Sequence, residues 1–122
     1  MLSYPLYKVV HIAAVLFVFA ALGGLVLHVL NGGSRESNRH RLLTGLSHGI
    51  GLVIVLISGF GLIARLGIGF EAWIWLKLLL WIAVGAVLAL IHRLPQHAKL
   101  LWFAIPLLGA AAAYLAVYKP VW

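Results

Sequence analysis

The chain has 122 residues, of which 65% are hydrophobic and 9% are charged, and its mean hydropathy is +1.13. A soluble domain of this size would need far more charged surface, and the absence of cysteine excludes disulfides, thiolate metal sites and iron–sulfur clusters. In a soluble protein, the net charge of +7 would suggest binding to nucleic acid. Here the basic residues lie mostly in loops and at the ends of apolar stretches, so we expect their partners to be lipid headgroups rather than nucleic acid.

Four apolar stretches follow one another along the chain. Each has close to the roughly 20 residues that a helix needs to cross a bilayer core about 30 Å thick. The predicted spans are residues 6–30, 42–66, 72–92 and 100–118. Because the polar connections between them are short, neighbouring helices are expected to run antiparallel. The sequence therefore predicts an all-α integral membrane protein, a single-domain antiparallel four-helix bundle whose lateral partner is the lipid bilayer.

Lysine and arginine are distributed unequally between the two ends of the predicted spans. The loops after the first and third spans carry Arg35, Arg39, Arg41, Arg93 and Lys99. The opposite side carries Lys8, Arg65 and Lys119. Since basic loops tend to stay in the cytoplasm, both termini are predicted on the periplasmic side of a bacterial inner membrane.

Small residues in the second span predict a face for close helix packing. Gly45 and Gly49 form a GxxxG pair, and Ser47 and Gly51 form a second small pair offset by two residues. His48 lies three residues after Gly45, so the two share one side of the helix. If Gly45 and Gly49 mark the packed face, His48 points into the bundle rather than into lipid.

Two histidines are predicted at similar depth on neighbouring spans. At 1.5 Å per residue, His48 lies about 9 Å and His28 about 14 Å from the bilayer midplane, on the cytoplasmic side. Two neutral imidazoles from adjacent helices can supply both axial ligands of haem b, so His28 and His48 are the candidate iron ligands. The alternative for His48 is a buried imidazole donating to a backbone carbonyl, and for His28 a side chain with its tip among the headgroups.

A second polar group is predicted on the opposite side of the midplane. His11, Ser58, Lys77 and Tyr114 come one from each span, all about 6–11 Å from the midplane, and would form a small buried network. Lys77 has no acidic residue at its depth, so it is either uncharged or held by an anion, carbonyl groups or water. A haem propionate or a quinone carbonyl near His11 and Lys77 would be the functional counterpart. The alternatives are that Lys77 snorkels to the interface and that His11 simply bonds Ser58 or Tyr114.

Four short motifs carry a resemblance to a known group. They are YKVVH at 7–11, LSHGIG at 46–51, WIWLK at 73–77 and YKP at 118–120. With them the chain resembles small four-span bacterial membrane proteins of the SirB-like group over most of its length. It is more loosely similar to the HemJ and CopD groups, which set a histidine early in the first span and a lysine after a tryptophan in a later one. His11 and Lys77 match that pattern. HemJ-like proteins are associated with haem b and with oxidation of a haem precursor, so the resemblance implies haem chemistry near these two residues.

The absence of reactive groups limits the function. The chain has two acidic residues, no serine–histidine–acid constellation and no phosphate-binding loop, which argues against an independent enzyme and against ion-coupled transport. One hypothesis is a haem-b-binding or accessory subunit of a membrane electron-transfer complex of the respiratory type. The other is a cofactor-free structural subunit of a larger membrane complex, with further membrane protein subunits as partners. A small transporter is a third, weaker alternative.

Overall fold

The computed structural model describes residues 2–119, which form four α-helices and no β-strand. The helices are α1 (Tyr4–Leu30), α2 (Arg41–Leu66), α3 (Ala72–Arg93) and α4 (Ala98–Tyr118). A single 3₁₀ turn, Pro95–His97, joins α3 to α4. Each long helix is apolar and long enough to cross a membrane. The four predicted helices are confirmed, and no boundary differs from its prediction by more than two residues.

The helix ends follow from local chemistry. Ser3 caps α1, because its side-chain oxygen accepts from the backbone N–H of Leu6 at 3.4 Å. Gly67 ends α2 in the left-handed conformation at φ 67°, where a residue without a Cβ is favoured, and its N–H bonds the Ile63 carbonyl at 3.1 Å. Pro95 directly follows Leu94, the C-cap of α3, as expected for a residue that disfavours helix immediately before it.

Helix α1 is the central element of the packing. It contacts each of the other three helices, most extensively α2, and it carries more buried side chains than any other helix. Val18, Leu22 and Val26 of α1 pack with Ile91 of α3 and Ile105 of α4 in the main apolar cluster. A smaller cluster of Trp73, Ile74 and Leu115 lies where α3 begins and α4 ends.

The packing face predicted from Gly45 and Gly49 is wrong, whereas Gly51, from the second predicted pair of small residues, does make a close contact. A Cβ placed on Gly45 or Gly49 would meet no atom within 4 Å, so these residues face away from the neighbouring helices. At Gly51 the same Cβ would lie 2.6 Å from Val18 Cγ2, and at Gly61 it would collide with the ring of Tyr7. Two residues correspond to about 200° around a helix, so Gly49 and Gly51 point in nearly opposite directions.

Candidate functional site

His48 joins α2 to α3. It is buried, with 4% of its surface exposed, which confirms that it faces the protein interior. Its Nε2 lies 3.2 Å from the Val84 carbonyl oxygen. A carbonyl oxygen only accepts, so the hydrogen lies on Nε2. This is the backbone-carbonyl arrangement that the sequence left as the alternative to haem ligation.

A second hydrogen bond runs in the opposite direction between the same two helices. Trp81 of α3 donates its indole Nε1–H to the Leu52 carbonyl oxygen of α2 at 2.9 Å. We call these two hydrogen bonds, His48 to Val84 and Trp81 to Leu52, the α2–α3 hydrogen-bond pair. Because α2 and α3 share little other contact, this pair is the principal polar link between them.

His28 lies in the last turn of α1 and contacts the loop that follows that helix. Its Nε2 donates to the Ser34 carbonyl at 2.8 Å and lies 3.2 Å from the Ser37 hydroxyl. The imidazole ring lies directly against Gly33, where any Cβ would collide with it. The side chain thus closes the loop back onto the end of α1.

These bonds bear on whether His28 and His48 fit haem b. Each imidazole carries its hydrogen on Nε2 and directs it at a protein oxygen, so neither Nε2 has a free lone pair for iron. Among residues 2–119, no three His, Cys, Asp or Glu side chains are grouped to hold a metal ion. Ligation of iron through Nε2 would require both of these hydrogen bonds to be released.

His11 and Ser58 connect α1 to α2 at the opposite end of the helices. His11 Nδ1 lies 2.9 Å from Ser58 Oγ. The Ser58 hydroxyl, which has one hydrogen, also lies 2.6 Å from the Ile54 carbonyl oxygen of its own helix. Because that carbonyl can only accept, the hydroxyl donates to it, and His11 donates from Nδ1 to Ser58. The structure therefore brings together two of the four residues predicted for the polar network and assigns the tautomer of His11.

Ser58→Ala is expected to lower the unfolding free energy by about 1 kcal/mol, because it removes the hydrogen bond between His11 and Ser58. The measurement is thermal unfolding in mild detergent, followed by circular dichroism. Ser47→Ala is the matched control, since Ser47 is a half-exposed serine on the same helix that lines a groove. Equal losses for the two variants would contradict the role assigned to Ser58.

Lys77 and Tyr114 occupy different environments from each other. Lys77 is partly buried. Tyr114 is 57% exposed and its ring packs against Tyr118, with the two centroids 4.7 Å apart. Lys77 is thus partly shielded by the protein, whereas Tyr114 faces outward from α4.

A groove of about 300 Å³ opens between α1 and α2. It is lined mainly by apolar side chains, among them Phe17, Ile50 and Ile54, with Ser47 as its polar member. None of the six predicted site residues lines it. The groove and the histidines are therefore separate features.

Sequence reasoning missed two tryptophans, Trp73 and Trp81. Trp81 supplies half of the α2–α3 hydrogen-bond pair, and the indole N–H of Trp73 is buried without an acceptor among residues 2–119. The available signal was the position of Trp81 in the middle of a span, away from the interface where membrane tryptophans concentrate. A buried indole N–H usually requires a partner, which points to an interhelical contact.

The fold and these contacts define a four-helix protein with membrane-length helices whose polar side chains join one helix to another. Comparisons with protein-family models, curated proteins and solved structures find no match to this chain. The resemblance to SirB-like proteins, and the looser one to the HemJ and CopD groups, therefore stays a prediction from short motifs.

Proposed function

We propose that this chain is a multi-pass protein of a bacterial inner membrane, in which the four helices form an antiparallel bundle with periplasmic termini. Its role is that of a cofactor-free accessory subunit of a larger membrane complex. The observation that supports this most directly is the use of the intramembrane polar groups. His48 and Trp81 bond backbone carbonyls of the facing helix, and His11 bonds Ser58 across α1 and α2. These polar groups are engaged in hydrogen bonds that hold neighbouring helices together.

The apolar surface is consistent with this role. Large hydrophobic side chains are exposed along every helix, for example Leu16 on α1, Ile57 on α2, Leu79 on α3 and Leu107 on α4. Such faces meet either lipid or the apolar spans of another subunit. With two acidic residues in the chain, there is little chemistry for independent turnover or proton-coupled transport.

The proposal is tested by isolating the tagged full-length chain from its native membranes in digitonin. We expect it to migrate in native electrophoresis with a stoichiometric second membrane protein that persists through size-exclusion chromatography. A Gly51→Val variant, in which the α1–α2 interface is disrupted, is the control and should lose that association. If the wild-type chain migrates only as a monomer or homo-oligomer, the subunit role is wrong.

The haem-b alternative makes a separate spectroscopic prediction. Because His28 and His48 direct Nε2–H at protein oxygens, the protein expressed with supplementary haem is expected to show no Soret band. The measurement is an absorption spectrum of the purified protein, oxidised and dithionite-reduced. A Soret band that weakens in His48→Ala would overturn the cofactor-free assignment and favour the haem-bearing subunit.

A further inference from the structure

Trp73 has a buried hydrogen-bond donor that the described chain does not satisfy. The side chain is 6% exposed, and its Nε1–H finds no acceptor among residues 2–119. Leaving a buried donor unpaired costs about 1–3 kcal/mol, and buried indoles usually find a partner. The position therefore calls for an oxygen acceptor that residues 2–119 do not supply.

Two lysines lie beside this donor. Lys77 is one helical turn after Trp73 on α3, so the two residues share a face. Lys119, at the end of α4, places Nζ 6.0 Å from the centroid of the Trp73 ring. Leu115, one turn before Lys119, packs against Trp73 and fixes the two helix ends together.

Acidic side chains are scarce near these two lysines. The two acidic residues of the chain are Glu36, in the loop at the far end of the helices, and Glu71, directly before α3. The first turn of α3 adds the positive end of a helix dipole. Donors and positive charge thus converge where α3 begins and α4 ends.

We propose that Trp73, Lys77 and Lys119 form a binding site for a phosphate group, and that its occupant is the headgroup of an anionic phospholipid. The indole N–H donates to a phosphate oxygen and the two ammonium groups balance its charge. Lys77 lies about 8 Å along the helix from the start of α3, within the range from which lysines snorkel to headgroups.

The test is native mass spectrometry of the full-length chain, titrated with phosphatidylglycerol, phosphatidylcholine or inorganic phosphate. The experiment uses the chain without any partner, so its outcome does not depend on the proposed subunit role. The lipid site rests on the proposed function only in that the helices span a bilayer. We expect phosphatidylglycerol to bind at least tenfold more tightly than phosphatidylcholine. Trp73→Phe, which replaces the indole by a smaller ring without an N–H donor, and Lys77→Gln should each weaken that binding about tenfold, or about 1.4 kcal/mol.

Matched variants separate the site from the general surface. Trp75→Phe and Lys8→Gln alter an exposed tryptophan and a lysine on α1, and both should bind phosphatidylglycerol as the wild type does. Lys119→Gln alters an exposed residue at a helix end, so it should weaken binding without unfolding the protein. Lys77→Arg keeps the positive charge, so it should retain the binding that Lys77→Gln loses.

Three further outcomes of the titration would support or overturn the proposed site. Inorganic phosphate that binds alone and depends on Trp73 and Lys77 would support the anion site with free phosphate as its source. Equal retention of the two lipids would overturn the proposal. Binding of phosphatidylglycerol that is unchanged in Trp73→Phe, Lys77→Gln and Lys119→Gln would also overturn it.

Discussion

Replacing Gly51 with valine is expected to force α1 and α2 apart and to destabilise the protein severely. Even a Cβ at this position would lie 2.6 Å from Val18 Cγ2 and 3.4 Å from the Ala14 carbonyl oxygen. Val18 is 1% exposed within the main apolar cluster and cannot move aside freely. Overpacking by one small group costs about 1–3 kcal/mol, so Gly51→Ala should fall in that range and Gly51→Val above it. The measurement is thermal unfolding in mild detergent, followed by tryptophan fluorescence.

The GxxxG pair on the same helix supplies the controls for this prediction. Gly45→Ala and Gly49→Ala place their methyl groups where no atom lies within 4 Å. Alanine forms helix better than glycine by about 1 kcal/mol, so both variants should be neutral or slightly stabilised. Shortening the opposing side chain in the double variant Gly51→Ala/Val18→Ala should recover part of the loss. If Gly49→Ala destabilises as much as Gly51→Ala, the helix orientation described above is wrong.

The helices themselves could be predicted from the sequence because their signals are local. Each span is a long apolar run, and each ends at residues with a defined backbone preference, such as Gly67 after α2 and Pro95 after α3. The rotation of a helix about its axis has no comparable local signal when nearly every side chain is apolar. Small residues lie on several sides of α2, and only the position of Val18 on the facing helix shows that Gly51, rather than Gly49, makes the contact.

The predicted polar network also depended on helix rotation, which the sequence does not indicate. Counting residues gives a depth in the membrane, and on that basis His11, Ser58, Lys77 and Tyr114 were expected together. Depth is common to all sides of a helix, however. Ser58 faces α1 and bonds His11, whereas Tyr114 at comparable predicted depth faces outward and packs on Tyr118. The pairing therefore depends on helix rotation, which the packing of α1 against its neighbours determines.

Removing both members of the α2–α3 hydrogen-bond pair is expected to release α3 from α2. His48→Ala should cost about 2–4 kcal/mol, because it removes a hydrogen bond and leaves a cavity at a buried position. His48→Leu, which fills most of that volume, and Trp81→Phe should each cost about 1 kcal/mol. The two bonds join the same two helices, so we expect the single losses to be non-additive in the double variant His48→Leu/Trp81→Phe.

A distance measurement separates loss of stability from loss of helix docking. The chain has no cysteine, so spin labels can be attached at one introduced pair, Leu46→Cys on α2 and Leu90→Cys on α3, both of which are exposed. Electron–electron double resonance should give a narrow distance distribution in the parent and a broad one in His48→Leu/Trp81→Phe. Trp75→Phe, an exposed tryptophan on the same helix, is the matched control and should keep the narrow distribution. Because α2 and α3 share few other contacts, a distribution that stays narrow in the double variant would mean that α1 alone positions the two helices. The hydrogen-bond pair would then contribute stability but not arrangement.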